Sequence, residues 1–499
     1  MLETAFQSVQ DSSLVVGKNY IDGEWRESRS NQRFQADIWA NPANNQLLGT
    51  SPESNVDDVE DAILAAQKAL PAWKSKSGRE RARILRRWFD LIIEHKEDLA
   101  KIISTENGKA QADAAGEVGM CAGFLEWFSE EAARIHGDVA PHSNPTFRIN
   151  IIKEPIGVCA MILPWNFPAA MMVRKLAASL AAGCPSIAKP DGLTPFSASA
   201  FAVLAERAGI PTGVFNLIHA LENTPAVGKA LCEHPLVRKL SFTGSTRVGK
   251  ILLAQSASNV QKLSLELGGN APFLVLDDAD LEVAVSSLVV SKFKVSGQTC
   301  VCANRIYVQE GIHDQFVEKL LTAVRAFKLG PASDVNTTQG PLINANAVAK
   351  SKDHVEDAIS KGGKVLVGGR PASELGPNFF QPTVIVNATQ NMKIAHEETF
   401  GPVAAIFKFK TDEEGIQYAN DADVGLASYL MTTGHDRVRA FSEGLQAGMV
   451  AVNTGVIADP ASPFGGIKNS GFGREGSKYG LDEYLTLKTI VTGGFKSIV

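Results

Sequence analysis

Between residues 56 and 73 apolar side chains recur at Val59, Ile63, Leu64, Ala66 and Leu70, a helical period with one buried face, and Ser54 and Asn55 stand where N-caps belong. A second helical pattern runs through 79–103, with Leu85, Trp88, Phe89, Ile92 and Ile93 on one side and Asn107-Gly108 as a stop signal. From about 157 the rhythm changes. Short apolar runs at 158–163, 186–189, 214–218, 239–242 and 262–267 alternate with helix-like stretches, and a second series follows at 273–276, 305–308, 365–367, 403–409 and 448–452. That alternation predicts parallel sheets covered by helices, and so an α/β protein of two doubly wound lobes. Two stretches break the pattern: 148–153 alternates as an exposed ribbon, and 484–492 is β-rich. They are expected to pair as a small β-ribbon element that reaches into a partner subunit, because an open edge needs covering.

Composition narrows the class. The chain has 499 residues, 44% apolar and 21% charged, too long for one ordinary core and ordered in character. Its formal charge is −5 with no basic run, which argues against nucleic acid as a partner. The longest nearly apolar stretch, 176–188, contains Gly183 and Pro185 and falls short of the roughly 20 residues that span a bilayer, so no membrane segment is expected. Glu3 and Asp11 precede the first basic residue, Lys18, without a compact apolar stretch or cleavage site, which fits neither a secretory nor a transit leader. Six cysteines are too sparse for a disulfide framework, and the nine histidines show no metal-ligand spacing. The expectation is a cytoplasmic protein without a metal site.

Candidate chemistry concentrates in three places. Cys300, in SGQTCVCANR at 296–305, lies between a helix and a strand, where a thiol can be partly exposed and electrostatically activated, although lone cysteines are more often packing residues. Glu266 ends the run 262–267 just before Gly268 and Gly269; partial burial there would raise its pKa toward general-base duty, while a strand-end glutamate in water is the alternative. Asn166, in LPWNFP at 163–168, is an amide donor in a loop stiffened by two prolines, or simply a turn residue. A fourth segment, FTGSTRVGK at 242–250, follows a strand and opens a helix, as a phosphate cradle does. Ile251 stands where a P-loop needs Ser or Thr, and Phe242 where a Rossmann fingerprint needs its first glycine.

Together the segments 163–168, Lys189-Pro190, 242–249, 266–270, 297–300, ETFGP at 398–402 and PFGG at 463–466 resemble the aldehyde dehydrogenase superfamily in order and spacing, over nearly the whole chain. GQTCVCANR at 297–305 and GFGREGSKYG at 471–480 are similar to its succinate-semialdehyde dehydrogenase branch. The resemblance implies catalysis by Cys300 as nucleophile, Glu266 as base for thioester hydrolysis and Asn166 as oxyanion donor with the Cys300 amide. It places NAD or NADP against Leu163, Pro164, Trp165, Lys189, Gly192, Phe242, Gly244, Ser245, Gly249, Leu267, Glu398 and Phe400. It puts the aldehyde near Arg174, Lys294, Phe167 and Phe464, and associates Cys302 with a thiol switch.

Its domain scheme implies a dinucleotide-binding unit of 1–134, 154–264 and 460–479, a catalytic unit of 265–459, and an oligomerisation element of 135–153 and 480–499 in a homodimer or homotetramer. Two departures stand out. Gly192 occupies the position where NAD-committed members carry a glutamate that repels a 2′-phosphate, so NADP should be tolerated, with Asp191 beside it. Of two arginines and a serine that hold the distal carboxylate in the branch, Arg174 alone is matched; Lys294 and Ala458-Asp459 stand at the other positions. The expected reaction is oxidation of an aldehyde to its acid, with succinate semialdehyde leading, other ω-carboxy or larger aldehydes next, and a silent dinucleotide-binding oligomer or a P-loop NTPase as rivals.

Overall fold

The computed structural model describes residues 6–34 and 41–496. Expectations that fall on 1–5, 35–40 and 497–499, among them Glu3 and the outer ends of the expected units, lie outside the described residues.

The first lobe is an eight-stranded sheet whose five parallel strands, Val158–Ile162, Ser186–Lys189, Phe215–Leu217, Val237–Thr243 and Lys262–Glu266, run 3-2-1-4-5 in space. The order reverses between Val158–Ile162 and Val237–Thr243, so the chain leaves both strands outward at their carboxyl ends and a crevice opens there. The hairpin of Asn19–Ile21 and Glu24–Arg26 closes one edge and Gly471–Phe472 the other, both antiparallel. The second lobe is a seven-stranded sheet of Lys364–Val367, Thr383–Ala388, Val403–Phe409, Ala303–Gln309, Ala271–Val275, Ala427–Met431 and Met449–Val452, in that spatial order. All its pairs are parallel except the edge strand Lys364–Val367, which runs antiparallel rather than in the expected parallel sense.

The 56–73 pattern folds as Val56–Lys74, capped by Asn55, whose side chain accepts from Asp57 and Asp58 while Asp58 returns to the Asn55 amide. The 79–103 pattern is not one helix. It breaks at His95 into Gly78–Glu94 and Lys96–Asn107, because the Asp98 carboxylate takes the amides of Gln10 and Asp11 at 2.9 Å each and pulls the second helix onto the N-terminal segment. Gly108 ends it in the left-handed region, φ 83°.

The helix Ala170–Ala182 is buried along its whole length. Its start is capped by Glu117, whose Oε1 accepts from the amides of Ala169 and Ala170 at 2.9 and 3.0 Å, at the end where a negative charge meets the helix dipole favourably. The stretches 148–153 and 484–492 do pair: Arg148–Pro155 and Leu485–Thr492 run antiparallel over eight residue pairs, with Asp138–Pro141 on the other side. Among the described residues no helix is long and apolar enough to cross a membrane.

Candidate active site

The crevice at the strand-order reversal continues into a cavity of about 410 Å³ between the lobes. Its wall contains Asn166, Cys300, Arg174, Lys294, Glu398 and Phe400, so residues hundreds of positions apart in the chain face one space.

Cys300 is delivered by a strained loop. After the helix Leu281–Phe293, the backbone of Val295, Ser296 and Gly297 adopts three successive left-handed conformations, φ 52°, 55° and 75°. Tertiary bonds hold this shape: Val295 N–H donates to Asp113 Oδ2 at 3.0 Å, Ser296 Oγ to the Gly340 carbonyl at 2.7 Å, and the Ile343 amide to Gln298 Oε1 at 2.9 Å. Gly297 is required here, since a Cβ would lie 2.3 Å from the Gly401 carbonyl oxygen. The thiol emerges half-buried and donates to Glu266 Oε1 at 3.3 Å.

Burial and the Glu266 charge push the Cys300 thiol well above its ordinary range, against the pull of Arg174, so an activated thiolate is not what this arrangement holds at rest. The proton has an acceptor in contact instead.

Glu266 is buried at the end of Lys262–Glu266 rather than pointing into water. Its Oε2 accepts from Arg174 Nη2 and from Thr243 Oγ1 at 3.1 Å, and Thr243 Oγ1 accepts in turn from Lys175 Nζ at 2.6 Å. Lys175 and Arg174 Nε both reach Glu475, the latter at 2.5 Å. Their positive charges hold the Glu475 carboxyl down at about 2 against its burial.

Asn166 donates through Nδ2 to the Gln298 carbonyl at 2.9 Å, which fixes the amide and leaves its second hydrogen free. The loop around it is anchored from outside. Asn107 Nδ2 donates to the Trp165 carbonyl at 2.9 Å, and Lys109 Nζ to the Asn166 carbonyl at 2.7 Å. Lys109 also pairs with Glu117 at 2.6 Å, both side chains fully buried, and lies 4.3 Å from the Phe167 ring centroid. Sequence reasoning missed Lys109, Glu117, Thr243 and Lys175. The one available signal was the presence of Glu117 and Lys175 in otherwise apolar helix faces; Lys109, in the turn between two helices, and Thr243, at a strand end, carried none.

The expected cofactor residues gather at the same crevice. Pro164, Trp165, Gly244, Ser245, Leu267, Glu398 and Phe400 line the cavity, and Leu163 and Phe242 lie buried behind it. Ser245 caps Thr246–Ser256 by accepting from Val248 N–H at 3.3 Å. Gly249 lets that helix press on Leu267, whose Cδ2 sits 2.5 Å from where a Cβ would be. The Lys189 ammonium is buried without a hydrogen-bond partner among the described residues, and burial lowers its pKa. An unpartnered buried cation, a helix N-terminus and a glycine cradle fit a dinucleotide with its ribose hydroxyls and phosphates. Burial raises the Glu398 carboxyl to about 7, and the Trp165 and Phe400 rings meet edge-on at 5.6 Å.

Gly192 is hemmed in: a Cβ would lie 2.6 Å from Leu221 Cδ1 and 3.2 Å from Leu221 Cα. Asp191, beside Lys189, accepts from the Leu193 amide at 2.9 Å.

Of the expected substrate residues, Phe167, Arg174, Lys294 and Phe464 all line the cavity. Arg174 is spent on Glu266 and Glu475 and stacks 4.4 Å from the Phe464 centroid, whereas Lys294 is exposed and makes no ion pair among the described residues. Ala458 lines the cavity, but Asp459 does not; its Oδ1 accepts from the Ala461 amide at 2.8 Å. Cys302 is buried behind the loop, 3.4 Å from Lys292 Nζ, so pairing with Cys300 would require it to leave that lysine.

A thiol with its proton acceptor in contact, opening onto the carboxyl edge of a dinucleotide-type sheet, defines an oxidoreductase that holds its substrate on sulfur while oxidising it. The chain belongs to the aldehyde dehydrogenase family, whose model matches residues 25–490. It is 52% identical over 484 residues to succinate-semialdehyde dehydrogenase [NADP(+)] 1 of Schizosaccharomyces pombe, covering 97% of this chain and 96% of that one. It is 49% identical to a glutarate-semialdehyde dehydrogenase of Pseudomonas aeruginosa, covering 97% and 99%. A crystal structure of succinate-semialdehyde dehydrogenase from Burkholderia pseudomallei superposes with a TM-score of 0.95 at 49% identity, covering 98% and 100%.

Proposed function

We propose that the chain oxidises succinate semialdehyde to succinate, with NAD or NADP as the electron acceptor. The observation that carries the substrate is Lys294, an exposed cation that makes no ion pair among the described residues, on the wall of the cavity that holds Cys300, with Asp113 near enough to feel its charge. The lysine suits a distal carboxylate, and the similar proteins of S. pombe and P. aeruginosa are named for aldehydes of that kind.

Cys300 Sγ attacks the aldehyde carbon as its proton passes to Glu266 Oε1. The free hydrogen of the Asn166 amide and the Cys300 N–H receive the oxyanion; one such donor is worth about 10²–10³ in rate. Lys189, Ser245, Glu398 and Phe400 would hold the dinucleotide, which would supply the acceptor for the hydride that leaves the substrate carbon. Glu266 loses the Cys300 proton to water in the open cavity, takes one from the water that attacks the thioester, and returns it to the departing Cys300 sulfur, releasing the acid and the thiol. Arg174 fixes Glu266 throughout. This departs from the expectation that Arg174 binds substrate, and leaves that work to Lys294.

The eight-stranded, seven-stranded and ribbon sheets support the division into a dinucleotide unit, a catalytic unit and a ribbon element, with Glu266 ending a strand of the first sheet. Leu487, Ile490 and Val491 are exposed on the ribbon, which suits cover by a second copy in a homodimer or homotetramer, and six free cysteines suit the cytoplasm. Purified enzyme tested with each dinucleotide against succinate semialdehyde, glutarate semialdehyde and butanal decides the substrate. The ω-carboxy aldehydes should exceed butanal by about tenfold or more in kcat/KM; equal values would overturn the reading.

A further inference from the structure

A second cleft of about 480 Å³ opens far from Cys300, where the helix Val56–Lys74 ends, Gly78–Glu94 begins and the base of the ribbon passes. It shares no lining residue with the catalytic cavity. Its wall holds Lys74, Lys76, Arg79, Arg81 and Lys153, and no carboxylate. In a chain whose formal charge is −5, five cations around one cleft, of which Lys153 alone has an ion-pair partner among the described residues, are a concentration of positive charge.

The nearest acidic side chains leave four of these cations without an ion pair, although the Glu80 charge is felt by Lys76 and Arg81. Glu80 Oε2 accepts from the amide and hydroxyl of Ser77 at 2.8 and 2.7 Å, Glu131 holds Arg134 at 2.8 Å, and Asp482 holds Lys153 at 2.5 Å. Lys74, Lys76, Arg79 and Arg81 make no ion pair among the described residues.

Arg81 is the strongest sign of a missing anion. It is 7% exposed, and desolvation pulls its pKa down. Its Nε donates to the Ala181 carbonyl at 2.9 Å and its Nη1 to the Lys76 carbonyl, while Nη2 has no partner among the described residues. A guanidinium is costly to bury without a counter-charge. The helix start adds donors: the Glu80 and Arg81 amides turn back to the Ser77 carbonyl, and the Gly78 and Arg79 amides have no acceptor among the described residues. Gly78 keeps this start pressed on the segment beneath, since a Cβ would sit 2.1 Å from the Ala132 carbonyl oxygen.

We propose that this cleft binds a condensed phosphate, a di- or triphosphate anion either free or carried on a nucleotide. Its several negative charges match the unpaired cations, its oxygens suit the guanidinium fork, and first-turn amides favour phosphate. Lys153, Pro155 and Leu485 belong to the ribbon, so the bound anion braces the ribbon against the helices.

The test is calorimetric titration of the full chain, saturated with NADP⁺ so that the catalytic crevice is occupied, with inorganic triphosphate and separately with ATP. One equivalent should bind, more weakly as salt rises. Lys76→Ala/Arg79→Ala, and independently Lys74→Ala, should weaken binding by about tenfold or more while keeping wild-type turnover and melting temperature, because these side chains have no partner in the fold. Lys294→Ala should bind as wild type does. Tighter binding of triphosphate than of ATP identifies the free anion as ligand, and the reverse identifies the nucleotide. Absence of binding, or binding unchanged in both cleft variants, would overturn the proposal.

Discussion

Glu266 Oε1 accepts the Cys300 thiol at 3.3 Å, although the two residues stand 34 positions apart, Glu266 ending a strand of the first sheet and Cys300 preceding a strand of the second. The contact depends on the two backbones lying against each other: a Cβ on Gly269 would be 2.4 Å from the Cys300 carbonyl oxygen. The proposed nucleophile and base therefore share one proton site, and Arg174, bound to the other carboxylate oxygen, keeps that site in place.

Substrate charge should be read by Lys294 rather than by Arg174. Lys294→Met is expected to lower kcat/KM for succinate semialdehyde by about tenfold and to leave butanal unchanged, since it removes one charge-assisted hydrogen bond made by one of the two substrates. Arg174→Met should instead lower kcat for both aldehydes. Steady-state kinetics on the two variants checks this, and a matching loss on both aldehydes in Lys294→Met would refute it.

Lys109 and Glu117 should act on the chemistry without touching substrate. Lys109→Met leaves a buried carboxylate without its counter-charge, costing about 3–5 kcal/mol of stability, and frees the Asn166 carbonyl. The double variant Lys109→Met/Glu117→Gln should recover part of the stability but not kcat. Melting curves beside kcat measurements separate the two effects; restored kcat in the double variant would show that the loop needs no such anchor.

Local pattern carried much of this architecture. The run 158–163 is legible because a strand buried on both faces is apolar throughout, 262–267 because Leu263, Leu265 and Leu267 alternate with polar residues, and Cys300, Glu266 and Asn166 stood out because each lies within three residues of a glycine or proline near an element's end. Ala427–Met431, next to the edge strand Met449–Val452 in the second sheet, escaped notice because Ser428 and Tyr429 interrupt its apolar run. The contacts of Arg174 escaped for another reason. Glu475 lies 301 residues away, and an ion pair across that distance leaves no local signature. The break at His95 depends likewise on a bond from Asp98 to the N-terminal segment.

Gly192 carries a structural cost that its sequence position did not reveal. Gly192→Glu should depress turnover with both dinucleotides rather than convert the enzyme to NAD, because any side chain there displaces Leu221. Gly192→Ala should already lower the melting temperature. A clean switch toward NAD in kcat/KM measurements would show that residue 221 yields without loss.

Glu398 gives cofactor binding a pH dependence. With its carboxyl raised to about 7 by burial, it is neutral below that pH and becomes a charged acceptor for ribose hydroxyls above it. KM for the dinucleotide should fall as pH rises through about 7, and Glu398→Gln should flatten the profile. The stability link runs the other way. Free enzyme gains from the proton at low pH and loses that contribution as pH rises through about 7, so its melting temperature should decline over this range in the wild type and less in the variant.

Covalent catalysis on Cys300 with Glu266 as the deacylating base is tested most directly by trapping the intermediate. Glu266→Gln, mixed with succinate semialdehyde and NADP⁺ and quenched in acid, should acylate more slowly than the wild type, because glutamine takes no proton from Cys300, yet should stop at one equivalent of reduced dinucleotide per site and carry a succinyl group on the peptide containing Cys300 by mass spectrometry. An unmodified Cys300 in a variant that keeps reducing the dinucleotide past one equivalent would contradict it.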